Sequence, residues 1–352
     1  MKIQDHLSYS AECLAQLTGH LHAMNDPHLA RDRRSLAWVI ERLRAAPKFL
    51  VPENGRVIDG DSSMRSFDHA RLPFPVVALE YAVGEGTLGP NEQPSPKRIA
   101  LVWQDDAHLP LVYKGALGGE SAAEQTGRKI FVLPLYYSSR EKMWLFSPAM
   151  TAVNLECEPQ RVSAEEYASE GGSNEVVVDY LRNRDCIDPR SKAMWTLDSE
   201  MVVLFPMPIS LMMQNGMSMA QIQGTLQADN NDEVGAALSF AAVMGCSNVE
   251  TQRLDPPAAL NKKRLASGKE PFDPVHVLWV RGSALEGRAA AHTASASHAG
   301  SRASPRMHLR RGHIRVLADR NVWVNHAIVG AHQAGHGDPG AGVDRVYDVR
   351  RR

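Results

Sequence analysis

The chain has 352 residues, of which 43% are hydrophobic and 22% are charged, and its net charge is −1 at pH 7. This composition is ordinary for a globular protein, and the length is sufficient for one large domain or two smaller ones. No stretch approaches 18 uninterrupted apolar residues, so neither a membrane span nor a membrane partner is expected.

The cysteines and the N-terminus bear on the compartment. The segment Met1–His6 leads into a mixed polar region without an apolar core, so no signal peptide is predicted. Four scattered cysteines lack C-x-x-C spacing, which argues against a zinc ribbon and a disulfide scaffold: Cys13, Cys157, Cys186 and Cys246. We therefore expect free thiols and a cytoplasmic protein.

Charge is distributed unevenly along the chain. Of the 39 basic and 40 acidic residues, 17 basic and 8 acidic ones lie from Thr251 to the end. That part carries about +9 and the preceding part about −10. The pattern predicts an acidic α+β body over 1–250 and a basic, β-rich part over 251–352, as two units or one continuous globule. The basic part either faces a polyanion or docks on the acidic body.

The first half of the chain changes from helical to strand patterns. Leucines at helical spacing predict a helix ending before Asn25–Pro27, and a second amphipathic helix follows over 33–43. Runs of β-branched and aromatic residues then predict strands over 49–51, 72–81, 98–103, 129–137, 142–146, 175–178 and 201–205.

The second half mixes both patterns. The methionine-rich segment 208–223 is interpreted as a buried helix or turn, with an adaptable binding surface as the alternative. A helix is predicted over 232–244 with Gly245 as its C-cap, followed by strands over 248–251 and 275–280. Residues 282–305 are predicted to form a mobile loop, and 343–349 a last strand. The predicted fold class is α+β: N-terminal helices, a mainly antiparallel sheet and a basic C-terminal part.

Basic residues form two clusters after residue 251. The first lies at a helix start or loop and comprises Lys262, Lys263, Arg264 and Lys269. The second belongs to a predicted hairpin that turns at Ala318–Asn321 and continues through Val322–Val324; its titratable side chains are His308, Arg310, Arg311, His313 and Arg315. Arginine binds phosphate in a forked geometry, and histidine transfers protons near neutral pH.

The hairpin pattern also places its side chains on faces. Strand side chains alternate, so His308 and Arg310 share one face, while Arg311, His313 and Arg315 share the other. Gly312 is a candidate bulge between them. The face with Arg311, His313 and Arg315 can bind phosphate and supply a proton donor or acceptor beside it. The hairpin histidines are therefore candidate acid and base residues for metal-independent phosphodiester cleavage. A basic strand that only deters edge aggregation is the alternative.

Metal and cofactor motifs are weak or absent. The spacings worth testing for a metal are His332-x-x-x-His336 and the pair His20 and His22, and neither has further ligands at the expected spacing. The string Gly84–Gly89 matches G-x-G-x-x-G, but Pro90 follows where a helix should begin. We therefore expect no metal and no cofactor.

Several segments resemble a family of uncharacterised proteins encoded by bacteriophages and prophages. The resemblance rests on the segments 71–75, 256–264 with 268–271, 308–315 with Trp323–Val324, and 329–330 with 347–349. It covers about the last 100 residues, and the piece Ala331–His336 looks inserted relative to the family pattern. It implies a phage or prophage context and carries over no catalytic residue.

Three functional hypotheses follow from these patterns. The leading one is a phage-associated nucleic-acid-binding protein, with His308 and His313 as candidate catalytic residues of a nuclease. The second is a non-enzymatic accessory protein that binds a host protein, and the third is a structural or assembly component of a phage particle. The partner is therefore nucleic acid, RNA or DNA, or a host protein, and the oligomeric state stays open.

Overall fold

The computed structural model describes residues 9–58, 63–65, 67–83, 95–104, 128–183, 187, 190–280, 308–310, 313–324 and 327–329, with backbone alone at 308–310 and 327–329. The helices are α1 Tyr9–Ala23, α2 Ala30–Ala45, α3 Ala164–Ser169, α4 Ser173–Asn183, α5 Pro206–Gln214, α6 Met219–Met244 and α7 Ala258–Ala266. The strands are β1 Lys48–Leu50, β2 Val76–Ala82, β3 Lys97–Gln104, β4 Lys129–Ser138, β5 Met143–Phe146, β6 Ala149–Asn154, β7 Gln160–Ser163, β8 Ala193–Thr196, β9 Ser199–Val203, β10 Val249–Leu254, β11 Val275–Val280, β12 His308–Arg310, β13 His313–Val316, β14 Asn321–Val324 and β15 Ala327–Val329. The α+β prediction with N-terminal helices is confirmed.

One large sheet organises the fold. Its strand order is β10-β11-β1-β2-β3-β4-β6-β9, and β5 pairs with the second half of β4. Strand β1 is parallel to both of its neighbours, and the other pairs in this sheet are antiparallel. The mainly antiparallel sheet is therefore confirmed, with a short parallel strand near its centre.

Strand β4 accommodates a proline where its partner changes. It pairs with β6 through residues 129–132 and with β5 through residues 135–138. Pro134 lies between these ladders, and its carbonyl oxygen accepts from Ser147 N at 3.2 Å. The N–H and C=O of one strand residue point to the same side, so the N–H that Pro134 lacks falls in this gap between ladders.

Helices cover both faces of the sheet. On one face, α1 and α2 pack on an apolar layer that includes Trp103, whose ring stacks on Phe131 at 5.8 Å and meets the edge of Trp38 at 5.2 Å. On the other face, α6 packs on Phe49, whose ring meets Phe240 at 4.9 Å. The two buried layers share the sheet as their common wall, which places the core above and below its centre.

The helix α6 is longer than its predicted core of 232–244. Ser218 accepts from Gln221 N while the Gln221 side chain accepts from Ser218 N, and this capping box starts the helix. Gly245 ends it as predicted. A Cβ at Gly245 would overlap the carbonyl oxygen of His69, so the glycine is needed for close approach.

The predicted strand over 175–178 is wrong, because these residues lie in α4. Val177, Val178 and Leu181 are buried on one helical face. The helix approaches α6 at Gly224, where a Cβ would come within 2.8 Å of Val176 Cβ. Tertiary packing of an amphipathic face therefore overrides the strand preference of three consecutive valines.

The predicted C-terminal hairpin is confirmed in its described part. Strands β13 and β14 pair antiparallel, from His313 opposite Val324 to Val316 opposite Asn321. Strands β12 and β15 pair antiparallel and continue the register of β13 and β14, because the two residue numbers in each pair add up to the same total in both ladders. The predicted loop 282–305, the candidate bulge at Gly312 and the last strand over 343–349 lie outside the described residues.

The hairpin is attached to the turn between α6 and β10. The Asn248 side chain makes two hydrogen bonds to the backbone of Trp323: its Oδ1 accepts from Trp323 N at 2.8 Å and its Nδ2 donates to Trp323 O at 3.0 Å. Ser247 N donates to Asn321 O at 2.9 Å. Trp323 is buried and Ile314 packs beside it against the layer under α6. One face of the hairpin is thereby fixed to the body.

Strands from both sides of residue 250 belong to the large sheet. The predicted boundary between an acidic body and a basic C-terminal part falls within β10, and β11 lies between β10 and β1. The division into 1–250 and 251–352 stays a prediction about charge, while the sheet itself runs across it.

Candidate nucleic-acid interface

The first basic cluster lies on α7 and the turn after it. Lys262, Lys263 and Lys269 are exposed, and we call these three residues the lysine cluster. The helix ends at Ser267, and Gly268 adopts a left-handed conformation (φ 68°) that lets Lys269 N donate to Arg264 O at 2.9 Å. In the described part of the chain, no carboxylate pairs with these lysines. Their charges are therefore available to an anionic ligand.

Arg264 has a different environment from the lysines beside it. Its Nε donates to Glu270 O at 2.8 Å, and its guanidinium carbon lies 3.7 Å from the centroid of the Phe272 ring. Asn261 exchanges two hydrogen bonds with the Phe272 backbone, at 2.8 and 3.0 Å. Arg264 thus fastens the turn to α7 and orients the lysine cluster, in addition to contributing charge.

The connection that carries the lysine cluster is anchored to the sheet. Lys48, at the start of β1, is buried and its Nζ lies 2.8 Å from Asp273 Oδ2. The same Nζ donates to Arg44 O at the end of α2, at 3.1 Å. A buried ammonium with a carboxylate and a carbonyl partner is well satisfied. The cluster therefore projects from a fixed base.

The hairpin supplies the second basic group. His313 and Arg315 lie on one face of β13, opposite to Ile314, which packs on the core. Arg315 is exposed and His313 is half-buried with contacts of its own. Because Ile314 fixes the inner face, the Arg315 charge points away from the body.

The remaining predicted hairpin residues are only partly covered by the structure. The backbone of His308 and Arg310 lies in β12, while Arg311 lies outside the described residues. The pairing of β12 with β15 supports the predicted strand at this point. The assignment of His308 and His313 as candidate catalytic residues stays a prediction, because the structure describes only the backbone at His308.

The two basic groups lie at opposite ends of β10. The hairpin contacts Ser247 and Asn248 just before this strand, and α7 begins shortly after its last residue, Leu254. Six strand residues at about 3.3 Å each put roughly 20 Å between the groups. β10 is also an edge strand of the sheet. A ligand that contacts both groups must therefore be extended along this edge.

A buried polar cluster lies elsewhere, between α6 and the sheet. Glu233 Oε1 accepts from Tyr81 Oη at 3.0 Å and from Arg98 Nη1 at 3.0 Å. Glu233 and Tyr81 have no exposed surface, and burial raises the pKa of Glu233. We interpret this cluster as a link between α6 and strands β2 and β3. The polar run Asp229–Glu233 inside an apolar helix was its sequence signal.

A second buried carboxylate starts the first helix. Glu80 on β2 accepts from Tyr9 N at 3.2 Å and Ser10 N at 3.0 Å, which satisfies two of the free N–H groups of α1. Burial raises the pKa of Glu80, while its hydrogen bonds with Ser10 and Tyr9 and the charge of Lys48 act in the opposite direction. Its role is to attach α1 to the sheet.

The described ranges hold neither a metal-ion cluster nor a membrane-spanning helix. Within them, no group of three or more His, Cys, Asp or Glu residues is arranged to hold a metal ion. His20 and His22 lie in the last turn of α1, and the pair His332 and His336 is outside these ranges. None of the described helices is long and apolar enough to cross a bilayer.

Comparison with protein families, curated proteins and solved structures finds no match to this chain. The resemblance of the C-terminal segments to phage and prophage proteins stays a prediction. Function is therefore inferred from the residues and contacts described above.

Proposed function

We propose that this protein binds nucleic acid through the lysine cluster and the exposed face of the hairpin. The observation that carries the proposal is the environment of Lys262, Lys263 and Lys269. They are exposed, lie on α7 and the anchored turn after it, and pair with no carboxylate in the described part of the chain. When surface cations bind phosphates, they release the counterions that are condensed on the nucleic acid. This release drives most non-specific nucleic-acid binding.

The hairpin extends this basic surface. The Arg315 guanidinium is exposed on a strand whose opposite face is fixed to the core, so it presents its donors without a large loss of backbone entropy on binding. His313 lies on the same face and can donate to phosphate when protonated. The hairpin pattern assigns Arg311 to the same face as His313 and Arg315, and Arg310 to the opposite face with His308.

The test is an electrophoretic shift and cleavage assay on labelled single- and double-stranded RNA and DNA. The wild type is compared with His313→Ala/Arg315→Ala and, as a matched loss of surface charge, with Arg33→Ala/Arg34→Ala on α2. We expect the hairpin variant to bind more weakly on all sequences and the α2 variant to bind normally. Product formation that depends on His313 would extend the proposal to catalysis. No binding by the folded wild type at low salt would refute it.

Binding to a host protein is the second candidate, and one observation favours it. Helix α5 exposes Met207, Leu211 and Met213 by 41%, 47% and 50%. Flexible methionine side chains are common on surfaces that bind protein partners. If the wild type fails to bind nucleic acid, capture of a partner that is lost with Met207→Ser/Leu211→Ser would support this alternative.

A further inference from the structure

Strand β11 presents an aromatic ring to solvent beyond the end of its pairing with β1. Trp279 is 45% exposed; it lies opposite Glu250 on β10, whereas the pairing of β11 with β1 involves only Val275 and His276. Its neighbours Leu278 and Val280 pack toward the buried layer under α6. Side chains alternate along a strand, so Trp279 lies on the opposite face of the sheet.

In the described part of the chain, no helix makes extensive contact with β10 or β11 on that opposite face. Helices α1 and α2 lie on the same face but pack over β2, β3 and β5. Val277 shares the face with Trp279 and is partly buried, and Gln252, its partner on β10, is exposed. A large aromatic residue on an open sheet face is costly to hydrate and is the usual platform on which unstacked bases bind.

The lysine cluster lies at the other end of β11 from this platform. Trp279 is four residues along β11 from Val275, where the connection that bears α7 enters the sheet, which corresponds to about 13 Å. Glu250 lies opposite Trp279 on β10. Its carboxylate has a contact of its own and repels phosphates. The charges therefore favour a base over Trp279 and the phosphate backbone toward α7.

From this arrangement we infer that the ligand is single-stranded nucleic acid, with a base stacked on Trp279 and phosphates bound by Lys262, Lys263 and Lys269. This inference rests on the proposed function and specifies its substrate class. A duplex keeps its bases stacked on one another, so its base faces are closed to a tryptophan ring. Single strands expose these faces, and any base can stack, which predicts little sequence preference.

The test compares binding of a labelled oligo(dT) 12-mer, oligo(U) 12-mer and a 12-base-pair duplex by fluorescence anisotropy. The variants are Trp279→Ala, Trp279→Phe, and Met207→Ala as a loss of exposed apolar surface elsewhere. We expect Trp279→Ala to lose roughly tenfold or more in single-strand affinity. Duplex affinity should be unchanged, Trp279→Phe should retain most of the single-strand affinity, and Met207→Ala should match the wild type.

A second readout separates stacking from indirect effects. Oligo(dT) should quench the tryptophan fluorescence of the wild type, and this quenching should be lost in Trp279→Phe while binding persists. Unchanged single-strand affinity in Trp279→Ala, or tighter binding of the duplex by the wild type, would overturn the inference and leave the proposed function standing. Absence of binding to all three ligands would overturn both. A melting temperature equal to that of the wild type verifies, for each variant, that the substitution of an exposed residue leaves the fold intact.

Discussion

Removal of the lysine cluster should change the salt dependence of binding by a calculable amount. In the variant Lys262→Gln/Lys263→Gln/Lys269→Gln, three cations are lost while side-chain length is largely kept. Each phosphate contact on a single strand contributes about 0.7 to the slope of log affinity against log salt, so three contacts contribute about 2. Between about 50 and 200 mM salt, the wild type should lose roughly 15-fold more affinity than the variant.

The assay is a titration of a labelled single strand at several salt concentrations, with anisotropy as the signal. A control with the same change in net charge is Arg33→Gln/Arg34→Gln/Arg140→Gln, which neutralises exposed residues on α2 and in the turn between β4 and β5. We expect the control to keep the wild-type slope, because local phosphate contacts set the slope and overall charge has little effect on it.

Two results would refute this reasoning. Equal slopes for the wild type and the lysine variant would show that these cations do not contact phosphate. Equal loss of slope in the lysine variant and the arginine control would show that binding depends on net charge alone, without a defined site.

The remaining predictions concern the fold that holds the site. Glu80→Gln should remove part of the pH dependence of stability, as measured by urea unfolding from pH 4 to 8. Burial raises the pKa of Glu80 above its ordinary 4.5. The contribution of Glu80 to the free energy of unfolding is therefore full below pH 4.5 and is lost as the pH rises through the native pKa, at about 1.4 kcal/mol per pKa unit. Gly245→Ala should destabilise by about 1–3 kcal/mol in the same assay, through overlap with His69 O; unchanged stability would contradict the close approach. Trp323→Ala should cost about 3–5 kcal/mol and release β13 and β14, seen as faster hydrogen exchange there; unchanged protection would contradict docking of the hairpin.

Local pattern was a good guide to single elements. The strands predicted over 98–103, 129–137 and 275–280 were found within one or two residues, because their β-branched and aromatic runs lie between turn residues. The run at 175–178 was misassigned since the same residue types also fit one face of a helix. The helix is favoured by packing that is distant in sequence: the close approach to Gly224 on α6 and the burial of Val177 and Val178 with Met194.

The sheet order was beyond what local pattern can indicate. The short strand at Phe49–Leu50 was predicted, but its central place between β2 and β11 depends on pairing with residues more than 200 positions later. Such pairing is decided by which apolar faces can be buried together, which no window of sequence records. The sheet therefore joined regions that the charge pattern had divided at residue 250.

The candidate site was predicted in part for the same reason. The lysine cluster and the hairpin charges were evident from composition, because exposed cations need no tertiary partner. The packing of Arg264 on Phe272 and the exposure of Trp279 were not evident. Both features depend on which face of a strand or helix is covered by the rest of the chain. Trp279 also lies in an apolar run whose composition predicts a buried strand.

Photo-crosslinking with peptide mapping tests the location of the interface most directly. A single-stranded oligonucleotide carrying 4-thiouridine would be bound at low salt, irradiated, and its protein adducts located by mass spectrometry. The proposed interface predicts adducts on the segment 258–280, which carries α7 and Trp279, together with 313–324. Adducts confined to α2 or α5, or none from a folded protein at saturating oligonucleotide, would contradict it.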